Sequence, residues 1–332
     1  MRGQSSGQYD AQSPARHRAL TRATAVAALL LAGATQALPS SAGARSSGAS
    51  ETTDAAAAAC QLDAGAVTAG GDHRSQLFAS TAPVRRVHDV IRGRGVFSPG
   101  HVRLSSEMLQ LPATGYTVMS GYVVLGSALY QLNYPVFAGD DRPYEVMLDR
   151  IGGGWDPFVA LTNSRPVASE GTSATERLYG LRNDGTLYRW TIVHRIGQRP
   201  VYRAASYPGF QAVKVMTLLS RTSTYDTLLV TTRGGALYTV RIPLTSPMRP
   251  VVKVIRSSTW QGFEALMGSR CGQYGTLLLG IDKNTGSGYL YAVGHANGTA
   301  TVIRGLGKVP GTFGDPVDFR WAHYNERPLY GE

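Results

Sequence analysis

Short runs in which apolar and polar residues alternate recur through residues 76–332, separated by Gly, Asn, Asp and Pro. The clearest is ERLYGLRNDGTLYRWTI, residues 176–192. Its period-two alternation on both sides of Asn183-Asp184-Gly185 predicts two antiparallel strands, and that tripeptide supplies the positive φ a tight hairpin needs. No stretch carries a helical period of useful length, so the predicted class is all-β.

The hairpin is one copy of a longer unit. Its Leu-Tyr pair recurs at Leu129-Tyr130, Leu187-Tyr188, Leu237-Tyr238 and Leu290-Tyr291, at intervals of 58, 50 and 53 residues. Each pair follows an aromatic anchor, Phe97, Trp155, Phe210 or Phe263, by 33, 33, 28 and 28 residues. An apolar run lies between anchor and pair, and another, often opening with Arg-Pro, follows the pair. Each unit therefore reads as four short strands, with Pro placed where it removes no ladder bond. DFRWAH (318–323) and RPLYGE (327–332) match the first two strands of a fifth unit, and SQLFAST with VRRVHDVIRG, near residues 75–93, match its last two. A ring of sheets closed by strands from both termini explains this split, because closure removes exposed sheet edges. The expectation is a five-bladed β-propeller of four-stranded blades spanning 76–332.

Composition changes the picture mainly upstream. Arg16, Arg18 and Arg22 precede ATAVAALLLAGA, and the run ends near Ala42-Gly43-Ala44. This is the pattern of a secretory signal over 1–44, too short to span a bilayer, and it predicts a secreted, extracellular protein. Residues 45–75 lack aromatics and are rich in Ala, Gly, Ser and Thr, which predicts a flexible lead. The two cysteines, Cys60 and Cys271, would form one disulfide in an oxidising compartment. The formal charge of +11 comes almost wholly from arginines, with only four lysines. These arginines are scattered singly, so they imply a basic solvated surface and no specific nucleic-acid partner.

The blocks GWDPF (154–158), DGTLY (184–188), PGFQAV (208–213), GGALY (234–238), QGFEAL (261–266) and GSGYLY (286–291) together resemble the tachylectin-type five-bladed propeller lectins. That resemblance covers about residues 76–332. It implies binding of N-acetylated amino sugars in shallow pockets between blades, with a carbohydrate or cell-surface glycan as partner. This chain departs from the family pattern in its anchors, only one of which is Trp on this reading, and in keeping the acidic hairpin residue cleanly only at Asp184.

Sugar binding needs flat aromatic faces and a few fixed polar groups. Trp155, Trp190, Trp260 and Trp321 are the tryptophans, and Asp156, Asn183 and Asp184 the neighbouring polar groups, so these seven are the candidate ligand-binding residues. The polar insertion 163–177 and the loops near 105–115 and Cys271 would share one rim. DKNTGSG, 282–288, carries a fragment of a calcium-loop pattern without its closing carboxylate and reads as a turn. No zinc spacing, nucleophile elbow or phosphate loop occurs, and neither cofactor, metal nor catalytic residue is expected. Asp140, Asp141 and Glu145 could supply a carboxylate pair only by converging in space. LYGLRNDGTLYRW also resembles the quinone-dependent propeller repeat, whose period is shorter, and distantly the aspartate boxes of sialidases, whose Ser or Thr spacing differs, so a quinone-dependent or glycan-processing propeller enzyme and an extracellular protein-interaction platform stand as alternatives to a non-catalytic binder.

Overall fold

The computed structural model describes residues 59–166, 175–195 and 198–332. The expected secretory signal, residues 45–58 of the expected lead and residues 167–174 of the polar insertion lie outside the described residues. The described chain is all-β. In chain order the first strands are β1 (Gln61–Val67), β2 (His73–Ala79), β3 (Arg85–Gly93), β4 (Val102–Ser105), β5 (Met108–Ala113), β6 (Tyr116–Leu125), β7 (Ala128–Phe137) and β8 (Met147–Gly153). Three four-stranded antiparallel sheets follow. They are β9 (Phe158–Ser164), β10 (Glu176–Arg182), β11 (Leu187–Arg195) and β12 (Gln198–Tyr207); then β13 (Val213–Arg221), β14 (Tyr225–Thr232), β15 (Leu237–Pro243) and β16 (Val251–Arg256); then β17 (Ala265–Cys271), β18 (Gly275–Asp282), β19 (Ser287–Val293) and β20 (Ile303–Lys308). The last strand is β21 (Val317–His323).

The remaining strands form one nine-stranded sheet in the order β3-β2-β1-β21-β5-β6-β7-β8, with β4 also on the edge of β6. Two antiparallel runs meet in it through a short parallel pairing of β21 with β5, Trp321 opposite Met108 and His323 opposite Gln110. Successive inner strands β4, β9, β13, β17 and β21 touch one another in a circuit that returns to β4. All five line one cavity of about 280 Å³. Leu329 meets the same cavity and is buried in the apolar cluster that includes Met216, Leu218 and Leu228.

The hairpin expected at 176–192 is present: Leu181 faces Leu187, Gly180 faces Tyr188, and Gly185 turns the chain at φ 82°. The split unit differs from expectation. Its second strand is β1, inside the stretch expected to be a flexible lead, and the C-terminal side supplies only β21. The Ala- and Gly-rich composition of QLDAGAV has a packing cause: a Cβ on Gly65 would sit 2.3 Å from the Phe319 ring on β21. Small residues are what let this strand pass beside that ring, and β1 is buried along nearly its whole length. RPLYGE instead crosses to β13, where Arg221 N–H donates to Leu329 O at 2.8 Å and Gly331 N–H to Leu219 O at 3.1 Å. Part of the loop expected at 105–115 is strand β5.

Cys60 and Cys271 are bonded, their Cα atoms 5.3 Å apart across a sequence separation of 211. The bridge fastens the entry to β1 onto the end of β17, in a different sheet. No helix of the described residues is long and apolar enough to cross a membrane.

Candidate ligand-binding cleft

One backbone hydrogen bond, repeated at five junctions, positions the aromatic residues. The N–H of Phe97 donates to Gly71 O (3.0 Å), Trp155 to Ser127 O (3.0 Å), Phe210 to Gly185 O (2.8 Å), Trp260 to Gly235 O (2.9 Å) and Phe313 to Gly286 O (3.1 Å). Each acceptor lies in the hairpin turn between the two central strands of one four-strand run, and each donor opens the next run. This corrects the expected anchor series. Trp260, not Phe263, holds the fourth slot, Phe313 holds the fifth, and two anchors of the five are therefore tryptophan. The Leu-Tyr register shifts with it: Gly180 faces Tyr188 while Gly280 faces Tyr289, so Tyr289 and Tyr291 correspond to Tyr188 and Trp190.

Around Trp155 the chain assembles an aromatic wall. Trp155 packs on Phe158 (ring centroids 4.3 Å) and Trp190 (5.0 Å), and Trp190 stacks on Tyr188 at 5.5 Å with 17° between planes. Gly180 is required beneath them, because a Cβ there would come within 2.9 Å of Phe158 and 3.0 Å of Trp190. Trp155 itself is only 5% exposed and acts as the buried back of the wall, whereas Tyr188, Trp190 and Tyr202 are half-buried. Together with Ile151–Gly154 and Arg182 they line a cleft of about 470 Å³ between β8 and the β9–β12 sheet.

The polar groups of the cleft are few. Arg182 Nη1 donates to the Tyr188 hydroxyl at 3.4 Å and Nη2 lies 3.3 Å from Asp184 Oδ2. The Tyr188 contact and then the Asp184 charge hold the Arg182 pKa above its ordinary value. The Thr186 N–H, donating to Asp184 Oδ1 at 2.9 Å, holds that carboxyl below the usual carboxylate range. Burial, and then the charge of Glu176, pushes the Tyr202 hydroxyl up to about 12, so it remains a donor at neutral pH. No carboxylate, imidazole or thiol is among the described residues lining the cleft. The arrangement offers ring faces and hydrogen-bond donors, which suits non-covalent recognition of a flat, partly apolar ligand.

A second, closely matched group surrounds Trp260, with Phe263 at 5.5 Å, Tyr291 at 5.0 Å, and Tyr289 beside Phe263 at 6.3 Å. In the sequence Trp260 is a candidate ligand-binding residue beside Phe263, the expected anchor. The signal that finds this group is the i, i+3 spacing Trp155–Phe158 repeated at Trp260–Phe263.

The other candidates are placed as follows. Trp321 is fully buried on β21, donates Nε1–H to Arg74 O at 2.9 Å and packs on Phe319 and His73, so its ring is part of the core. Asp156 is exposed outside the cleft lining, and its carbonyl accepts from Arg103 Nη2 at 3.0 Å. Asn183 and Asp184 form the exposed turn, where Asn183 N–H donates to Pro157 O at 2.8 Å. Neither lines the cleft, but Asp184 holds Arg182, which does. Sequence reasoning missed Arg103, whose guanidinium also donates to Gly126 O (2.9 Å), Trp155 O (3.3 Å) and Phe158 O (3.4 Å), clamping the anchor turn to the preceding run. Lys214 repeats part of this on Gln261 O at 2.6 Å. Asp140 and Asp141 form no acid pair: Asp140 Oδ1 accepts N–H groups of its own turn and Asp141 is bound to Arg94 at 2.6 Å.

No protein-family model matches the chain, and no curated protein matches it. Among solved structures it is similar to an α-L-arabinofuranosidase from Podospora anserina, at 13% identity over 66% of this chain and 73% of that one, with a TM-score of 0.40. It is also similar to the six-bladed β-propeller, fucose-recognising lectin of Aleuria aurantia, at 13% identity over 77% and 80%, TM-score 0.41. A lectin from Burkholderia pseudomallei matches at 15% identity over 76% and 70%, TM-score 0.34. Similarity this distant carries no argument about ligand or blade number.

Proposed function

We propose that this chain is a secreted five-bladed β-propeller, closed by β21 from one side of the sequence and β1–β3 from the other, that binds carbohydrate without catalysis. The circuit of five inner strands and the five repeated anchor bonds support the architecture. The observation that carries the function is the half-buried Tyr188–Trp190 platform in an open cleft, with Arg182 and the Tyr202 hydroxyl beside it as donors. The pyranose face of a sugar would lie on those rings, with Arg182 and Tyr202 donating to its oxygens. N-acetylated amino sugars are the class that the tachylectin-like motifs imply, and the Trp260 group would be the second such platform.

The test is a glycan array followed by titration calorimetry on the protein secreted from the full chain. Oligomers of N-acetylglucosamine should bind, Trp190→Ala should weaken binding at least tenfold, and Tyr291→Ala should reduce the number of sites. Failure of every glycan to bind, or full binding by the Trp190→Ala, Tyr291→Ala double variant, overturns the reading. The N-terminal residue of the secreted product tests the signal over 1–44.

A further inference from the structure

A different feature lies at the far end of the β6 strand from the Trp155 junction. β6 begins at Tyr116 and ends beside the Gly126-Ser127 turn, so the two regions are about 30 Å apart along the strand. Here Tyr116, Phe137 and Tyr144 form an edge-to-face row, with ring centroids 6.1 Å and 5.8 Å apart. They are 39%, 48% and 75% exposed, and the other seven phenylalanines of the chain are all buried. Leaving a Phe and two Tyr rings in water forgoes the stabilisation that burying them would bring, and exposed apolar patches of this kind mark binding surfaces. The row is held on rigid elements: Tyr116 faces Phe137 across β6 and β7, Tyr144 N–H donates to Pro135 O at 3.0 Å, and the Arg94–Asp141 pair ties the β7–β8 loop to the end of β3.

Beside the row runs a groove of about 390 Å³, walled by Val90 and Arg92 of β3 and by Tyr116, Phe137 and Asp140. Arg92 is under-used. Its Nε is buried with no hydrogen-bond partner among the described residues, and Nη2 reaches only His88 Nε2 at 3.4 Å and Asp63 Oδ2 at 3.6 Å. A guanidinium fully engaged with a carboxylate bonds at about 2.7–2.9 Å. Neither Asp140, the one carboxylate among the described residues lining the groove, nor buried Asp63, which lies outside the lining, is free. Asp63 takes hydrogen bonds from Ser75 and Gln110, and Asp140 Oδ1 caps its own turn at 2.7 and 3.0 Å.

We propose that this groove is a separate binding site for a carboxylated glycan. A pyranose lies against Phe137 and Tyr116 with its carboxylate on the Arg92 guanidinium, and the next sugar of the chain leaves the groove along the row to lie against Tyr144. The excess of arginine over acidic residues that persists beyond residue 44 attracts such an anionic polymer over distance, and the aromatic row gives the attraction a fixed place.

Binding of a hexameric oligogalacturonate to the full-length protein, measured by calorimetry at two salt concentrations, tests the site. The acid form should bind, its methyl ester should bind at least tenfold more weakly, and Phe137→Ala, Tyr144→Ala and Arg92→Gln should each weaken binding of the acid at least tenfold. Tyr274→Ala, an exposed aromatic in the β17–β18 turn of another sheet, should match the unaltered protein. Phe137 and Tyr144 are exposed, so their variants keep the test valid if Arg92→Gln proves unstable in a thermal melt. No binding of the oligomer, equal binding of acid and ester, or binding that Phe137→Ala and Tyr144→Ala leave intact would each overturn the proposal, the last by assigning the attraction to the basic surface as a whole.

Discussion

At the scale of single residues, two buried positions set the clearest expectations. His73 is wholly enclosed by Phe97, Tyr134, Phe319 and Trp321, with Nδ1 2.6 Å from the Tyr134 hydroxyl, and burial lowers its pKa to about 3. In the unfolded chain an ordinary histidine takes up its proton near 6.5. The folded value lies below the unfolded one, so its contribution is intact above about pH 6.5 and is lost as pH falls from there towards 3, by up to ~1.4 kcal/mol per pH unit. Asp318 acts in the opposite sense: burial raises its pKa to about 6 despite Lys283 at 2.8 Å, so its unfavourable contribution at neutral pH eases as pH falls through 6 towards 4. His73→Gln should therefore flatten the loss of stability between pH 6 and 4 relative to the unaltered chain, as read from urea midpoints across that range. Gly180→Ala should cost about 1–3 kcal/mol and weaken ligand binding in the Trp155 cleft, because the added methyl must displace Phe158 or Trp190. Unchanged denaturation and binding in that variant would show the wall to be looser than its geometry. The importance of His73 and Gly180 was not legible in the sequence, since a histidine in a stretch expected to be a flexible lead and a glycine in LYGL carry no mark of what lies across the sheet.

At the scale of elements, junctions between sheets matter more than the strands themselves. Alternation located the hairpin at 176–192 and the four-strand runs from β9 to β20, whereas β1 and β5 fell in stretches expected to be a lead and a loop. The anchor series was legible only in part: in QGFEAL the aromatic visible within the repeat is Phe263, yet the residue bonded to the preceding turn is Trp260, three positions earlier. Sequence spacing cannot separate two aromatics one short turn apart when only one hydrogen bond distinguishes them. The Arg103 clamp follows the same logic. Arg103→Met should remove the donors to four carbonyls, cost about 1–3 kcal/mol in a chemical melt, and weaken the Trp155 cleft more than the Trp260 group. The disulfide joins two elements 211 residues apart in sequence, and replacing both cysteines with serine should lower stability by about 5 kcal/mol on the loop-entropy account, measured as a shift in guanidinium midpoint.

At the scale of the whole molecule, β1 is the piece on which the nine-stranded sheet depends, standing between β2 and β21. Deleting residues 59–67 should uncover the Phe319 ring, unlink β21 from β2 and remove the cooperative thermal transition seen by circular dichroism. A retained sharp transition would mean that the remaining strands close without it. The sequence by itself determined the all-β class, the four-strand period, the hairpin at 176–192 and the presence of two cysteines able to pair, because these depend on local alternation, turn chemistry and composition. Only the tertiary structure decided that an Ala- and Gly-rich lead is a buried strand, that Trp321 is core while Trp190 faces a cleft, that Trp260 is an anchor, and that an exposed aromatic row stands beside Arg92. Each of those depends on which surface meets which across sheets tens or hundreds of residues apart, and such contacts leave no periodic trace along the chain.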